Sequence, residues 1–156
     1  MSRRTPLHLH PGALALVFVG GTVGTGARVL LSDGAPLVRD ILIAGLPAAT
    51  LGINVVGSFL LGLLVAALLR RGPLTRTSRR AHLLLGTGFL GGFTTYSALA
   101  LDTVGLLADG RAALAVLYGL GSVVLGLVGA GAGVVCGTKT RRTGGGTASE
   151  AGGTAP

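Results

Sequence analysis

The residues best placed to do chemistry in this chain are hydroxyls, amides and one guanidinium set inside apolar stretches, where an unpartnered polar group is destabilising. The run Gly88-Phe89-Leu90-Gly91-Gly92-Phe93-Thr94-Thr95-Tyr96-Ser97 joins a glycine pair to a hydroxyl cluster. In hydrocarbon every backbone N–H and C=O needs a partner, so such a break persists only where it is buried in protein or lines a polar cavity. That makes the run a candidate ion site. Asn54 and Ser58 are four residues apart, on one face of a helix, and Tyr118 and Ser122 repeat the spacing. Arg28 is the one basic residue within an apolar stretch.

Each of these has a structural reading beside the functional one. An arginine near a helix end snorkels to the interface, or it faces a vestibule and attracts anions. An intramembrane asparagine bonds a neighbouring helix, worth about 0.6 kcal/mol on average, or its amide donates to a passing solute. A helical serine often bonds back to the carbonyl one turn earlier. Taken together, Asn54, Ser58, Thr95, Tyr96, Ser97, Tyr118 and Ser122 form more of a polar track than helix packing requires.

The elements that must position these groups are transmembrane helices. The chain is 49% apolar and only 12% charged, and a bilayer-spanning helix needs about 20 apolar residues. Four stretches qualify, at 12–31, 46–69, 82–107 and 112–136. The expected fold is an all-α membrane protein of four transmembrane helices, the third broken near Gly91-Gly92. Gly20 and Gly24 make a small-xxx-small pair for close helix approach. The first stretch reads as a span rather than a secretory signal, since no small-residue cleavage site follows it cleanly. Residues 1–11 read as a cytoplasmic N-terminus, 12–137 as the membrane domain, and 138–156 as a disordered cytoplasmic tail rich in Gly and Thr.

A net charge of +8 suggests nucleic acid in a soluble protein, but its placement here points to a bilayer instead. Arg3, Arg4, Arg70, Arg71, Arg76, Arg79, Arg80, Lys139, Arg141 and Arg142 all fall on one side of the four spans, whereas the other side has only Arg39 and Arg111. The positive-inside rule therefore puts both termini and the middle connection in the cytoplasm, with the chain multi-pass in the plasma membrane. So steep a bias predicts a single fixed orientation.

The chemistry excluded is as informative. Cys136 is the sole cysteine, so no intrachain disulfide or cysteine metal cluster forms. The glycine run 20–26 lacks the strand and lysine of a phosphate loop, His8 and His10 read as solvated, and no nucleophile is paired with a base. No enzyme activity is expected. Asp102, near the end of the third span, is the single acid within the spans, so a proton-coupled carrier of cationic drugs lacks its membrane-embedded carboxylate. Hydroxyl and amide donors without such an acid suit a small, strongly hydrated anion whose water shell must be replaced donor for donor. Aromatic ring edges, which carry the positive part of the quadrupole, suit it too.

With those motifs in view, the chain resembles the CrcB, or Fluc, fluoride channels. The likeness covers all four spans, through Gly20-Gly21 to Arg28, Asn54-Val55-Val56-Gly57-Ser58-Phe59, Gly88 to Ser97, and Tyr118 with Ser122. It implies an antiparallel dimer with two fluoride pores and one structural sodium ion at its centre. It also implies roles: Asn54 and Ser97 donating to fluoride, Tyr118 and Ser122 forming a polar track, Arg28 near a vestibule, and Gly91 and Thr94 holding Na+ through carbonyls. A hard cation prefers oxygen ligands, and a broken helix exposes carbonyls. The pattern departs at Tyr96 and Leu99, which stand where the family has two phenylalanines. Tyr96 keeps an aromatic edge, whereas Leu99 has none, which predicts weak conduction by a homodimer. A fixed orientation then calls for a second homologous subunit of opposite topology. The alternative from a different class is a non-conducting packing subunit of a membrane complex, for which the polar track has no use.

Overall fold

The computed structural model describes residues 10–33, 46–70 and 75–139. Arg3, Arg4, Arg39, Arg71, Arg141, Arg142 and residues 140–156 lie outside the described residues, whereas Thr138 and Lys139, assigned to the disordered tail, are helical and continue the fourth span. Among those described, the chain is helical: α1 (Pro11–Asp33), α2 (Ala48–Leu69), a short α3 (Arg76–Ala81), a π-helical segment (His82–Leu90), a single turn α4 (Gly91–Phe93), α5 (Tyr96–Ala108) and α6 (Ala112–Lys139). Four stretches are long and apolar enough to cross a bilayer: α1, α2, the composite run 76–108, and α6. Large apolar side chains such as Phe18, Leu30, Leu117 and Leu127 are exposed around the outside, as lipid-facing residues should be.

Polar side chains start these helices where the chain changes direction. Thr75 caps α3, its Oγ1 accepting the Ser78 N–H at 3.1 Å. At the other end of the third span, Gly110 takes φ 72°, a left-handed conformation open to glycine at little cost. The Arg111 N–H then reaches the Leu106 carbonyl at 2.9 Å and the Gly110 N–H reaches Leu107 at 3.0 Å. This pair of bonds is a Schellman stop, and it folds α6 back alongside α5.

The spans pack as two parallel pairs held by backbone approach. In the first, α1 lies on the π segment: a Cβ added at Gly20 would land on the Leu84 carbonyl, and one at Gly24 on that of Phe89. The Gly20 and Gly24 spacing is used as its sequence suggests. In the second, α2 lies on α6, with Gly133 against the Phe59 carbonyl and Gly62 against that of Ala130. The Arg70 guanidinium donates to the Gly137 carbonyl, so the C-terminal ends of α2 and α6 sit side by side at the basic end. Stacked rings of Phe89 and Phe93, centroids 5.8 Å apart, run along the turn that leads into the break.

The break itself falls at Thr94 and Thr95, just after the glycine pair rather than within it. Both are extended, Thr94 at φ −80°, ψ 150° and Thr95 at φ −146°, ψ 122°. Gly91 and Gly92 stay helical. Gly92 is there for contact, since a Cβ would clash with the backbone of Gly21 in α1. Upstream, the Gly91 N–H reaches back five residues to the Gly86 carbonyl, the wide register of a π turn.

Candidate functional site

The broken span is held open by one side chain from another helix. Asn54 of α2 pairs with the backbone of Thr95 in both directions: the Thr95 N–H donates to Asn54 Oδ1 at 2.8 Å, and Asn54 Nδ2 donates to the Thr95 carbonyl at 3.0 Å. The amide thus replaces the two bonds an uninterrupted helix would have made. One hydrogen of Nδ2 serves Thr95, which leaves the second for another acceptor.

The threonines on either side of the break finish the neighbouring helices. Thr94 closes the preceding turn, its N–H and its Oγ1 both donating to the Leu90 carbonyl at 3.0 and 2.8 Å. Thr95 caps α5, with Oγ1 accepting the Ala98 N–H at 3.3 Å. Its hydroxyl also lies 3.0 Å from that of Ser97. Because the Thr95 N–H turns to Asn54, the Gly91 carbonyl loses the donor that an α-helix would supply four residues on. From α1, Thr25 Oγ1 donates to the Gly92 carbonyl at 3.3 Å.

A cleft of about 330 Å³ opens beside the break, and Asn54, Ser58, Thr94, Thr95, Tyr96 and Leu99 all line it. Gly91 and Thr87 complete its polar edge. Seven of the candidate residues, Gly91 among them, are therefore brought together from α2 and the broken third span. Tyr96 is 83% exposed, so its ring stands out from the chain rather than into its core. Leu99 sits between two surroundings, lining the cleft and packing against the buried cluster of Leu106, Ala115 and Tyr118.

Tyr118 and Ser122 lie elsewhere. Both are buried on α6, where the Tyr118 hydroxyl donates to Asp102 at 3.0 Å and Ser122 donates to the Tyr118 carbonyl at 2.6 Å. In this chain their protons are already committed. Asp102, set aside at the sequence level as a helix-end acid, is half-buried and is the acceptor that orients Tyr118. Arg28 is also half-buried, and its Nε is buried with no hydrogen-bond partner among the described residues. Residues missed at the sequence level are Thr25, Thr87 and the Tyr118–Asp102 pair. Thr25 and Thr87 each sit between glycines or beside one, as Gly24-Thr25-Gly26 and Gly86-Thr87-Gly88, which was the available signal.

Comparison with known proteins agrees with this geometry. Residues 15–134 match the family described as CrcB-like protein, Camphor Resistance (CrcB). The chain is 45% identical over 139 residues to the fluoride-specific ion channel FluC 2 of Leifsonia xyli, covering 88% of this chain and 92% of that protein. It is 39% identical over 127 residues to the fluoride-specific ion channel FluC of Ruminiclostridium cellulolyticum, covering 81% and 90%. With the FluC of Thermus thermophilus the identity is 46% over 112 residues, 72% of this chain and 84% of that one. A four-span bundle with a braced break in its third span, matched along most of its length, belongs to the CrcB family.

Proposed function

We propose that this chain is a subunit of a fluoride-specific ion channel that lowers cytoplasmic fluoride by passive export across the plasma membrane. The observation that carries the reading is the Asn54 brace. It keeps a helix open at membrane depth and gathers amide and hydroxyl donors on one cleft, with no carboxylate among the described residues that line it. Fluoride is small and strongly hydrated, so donors fixed in advance replace its water at lower reorganisation cost than mobile ones would. The pathway runs past Asn54, Ser58, Thr95, Tyr96, Ser97 and Leu99, with Arg28 drawing anions toward a vestibule. Tyr118 and Ser122 extend it along α6, and serve the anion only by exchanging their present bonds to Asp102 and the Tyr118 carbonyl.

The functional unit in this reading is an antiparallel dimer centred on a structural Na+. The Gly91 carbonyl, whose helical donor has turned to Asn54, and the carbonyl of extended Thr94 are oxygen ligands of the kind a hard cation takes. Bound by those carbonyls, such an ion would supply positive charge and link the two chains. Among the described residues, Arg70, Arg76, Arg79, Arg80 and Lys139 mark the cytoplasmic end and Arg111 the opposite one. With that bias, the antiparallel partner is a second homologous subunit of opposite topology, and its aromatic residues compensate for Leu99.

Fluoride efflux from proteoliposomes tests this, with chloride as the control anion. The chain is reconstituted alone and then with a homologous subunit of opposite charge bias. Fluoride flux without chloride flux is expected, larger in the mixture. Its absence from both preparations overturns the channel reading.

A further inference from the structure

We infer that Thr87 is a further residue of the anion pathway, donating its hydroxyl to the ion between the Asn54 brace and the basic end of the bundle. The inference rests on the channel reading above and adds to it a residue in the π segment that the family likeness does not single out.

Threonines in helices normally satisfy their own hydroxyls. In this chain Thr22 donates to Phe18, Thr94 to Leu90 and Thr103 to Leu99, each to the carbonyl four residues back and at 2.7–2.9 Å. Thr87 departs from that habit. Its hydroxyl has no partner among the described residues, and its side chain is exposed on the cleft. The cause is local. Thr87 lies inside the π segment, whose wide turns shift each carbonyl away from the position that a helical threonine uses. Gly86 and Gly88 on either side carry no side chain to shield it.

Position gives the free hydroxyl a task. The third span runs from the arginines of α3 through Thr87 to the break, and α2 runs from Asn54 through Ser58 to Arg70. Thr87 and Ser58 therefore line the stretch of cleft between the basic end and the Asn54–Thr95 pair. Ser58 likewise has no hydrogen-bond partner among the described residues. A hydroxyl without a partner at membrane depth is disfavoured unless a water or an ion completes it. Two such hydroxyls on one cleft, leading to a fixed amide, make a graded series of donors for an anion shedding its water.

The test is fluoride efflux, with chloride as control, from proteoliposomes of wild type, Thr87→Val and Thr87→Ser, in whichever preparation conducts. Thr87→Val keeps the shape and removes the donor, so flux is expected to fall by roughly tenfold or more, the lower bound for one lost hydrogen bond to a charged group. Thr87→Ser restores the donor and is expected to recover most of that loss. Thr87→Ala repeats the donor test without a branched side chain, and size-exclusion elution checks that each variant is assembled. If wild type conducts and Thr87→Val conducts equally well, the assignment of Thr87 fails while the channel reading stands. If Val and Ser lose flux alike, Thr87 is a packing residue and the assignment fails again. If wild type does not conduct fluoride in any preparation, the channel reading falls and this inference with it.

Discussion

Thr22 in α1 and Thr87 in the π segment are the same side chain on two spans that pack against each other, yet they end differently. Thr22 donates to the Phe18 carbonyl at 2.9 Å and faces outward from a regular helix. Thr87 is released by the wide π turn onto a cleft. The contrast extends to whole spans. In α1 and α6 the regular backbone satisfies its own groups and absorbs hydroxyls such as Thr22 and Ser122, while Thr25 reaches across to the Gly92 carbonyl. In the third span the backbone is irregular at two levels, π-helical and then extended, and polar groups there need partners from outside. A hydroxyl within a membrane helix is available to an ion where no carbonyl holds it, as at Thr87 in the π segment and at Ser58 in α2.

The largest test of that contrast is Asn54→Leu. The Thr95 N–H and carbonyl would both lose their partners, at up to about 1–3 kcal/mol each. A lower unfolding midpoint in detergent is expected, together with loss of fluoride flux; an unchanged midpoint would mean that the break stands without its brace. Tyr118→Phe removes the donor to Asp102 and is expected to cost about 1–3 kcal/mol. The same melting experiment measures it, and Asp102→Asn should couple to it in a double-mutant cycle.

Glycines sharpen the comparison at smaller scale. Gly24→Val would drive a side chain into the Phe89 backbone and is expected to cost about 1–3 kcal/mol by overpacking. A Cβ at Gly26 meets nothing within 4 Å, so Gly26→Ala is expected to be neutral or to stabilise by up to about 1 kcal/mol through helix propensity. Equal effects at the two positions would contradict the close approach of α1 to the π segment. The smallest effect is expected for Thr22→Val, within about 0.5 kcal/mol, because that hydroxyl is exposed and bonded within its own turn.

Much of the fold is legible in the sequence because bilayer thickness and hydropathy constrain it so strongly. The four spans follow from apolar length, and the Gly20 and Gly24 pair from small-residue spacing. A break near Gly91-Gly92 is legible too, but its position is not. The glycines suggested the weak point, whereas Gly92 is helical and makes room for α1, and the extended residues are the β-branched Thr94 and Thr95. Asn54 stands out as a polar residue in an apolar run, yet its partner is a backbone unit 41 residues away, which no local pattern encodes. The π register around Thr87 belongs to a segment packed against α1 and α2 and has no mark in the residue spacing, so sequence alone treats Thr87 as an ordinary helical threonine.

The most direct test of the central claim is fluoride efflux from proteoliposomes of Asn54→Leu beside Thr22→Val and wild type, with chloride in parallel. The account predicts that Thr22→Val passes fluoride as wild type does, that Asn54→Leu loses flux by about 100-fold or more, equivalent to some 2.7 kcal/mol, and that chloride does not pass. Fluoride flux in Asn54→Leu equal to wild type would contradict it, because the braced break would then have no part in conduction.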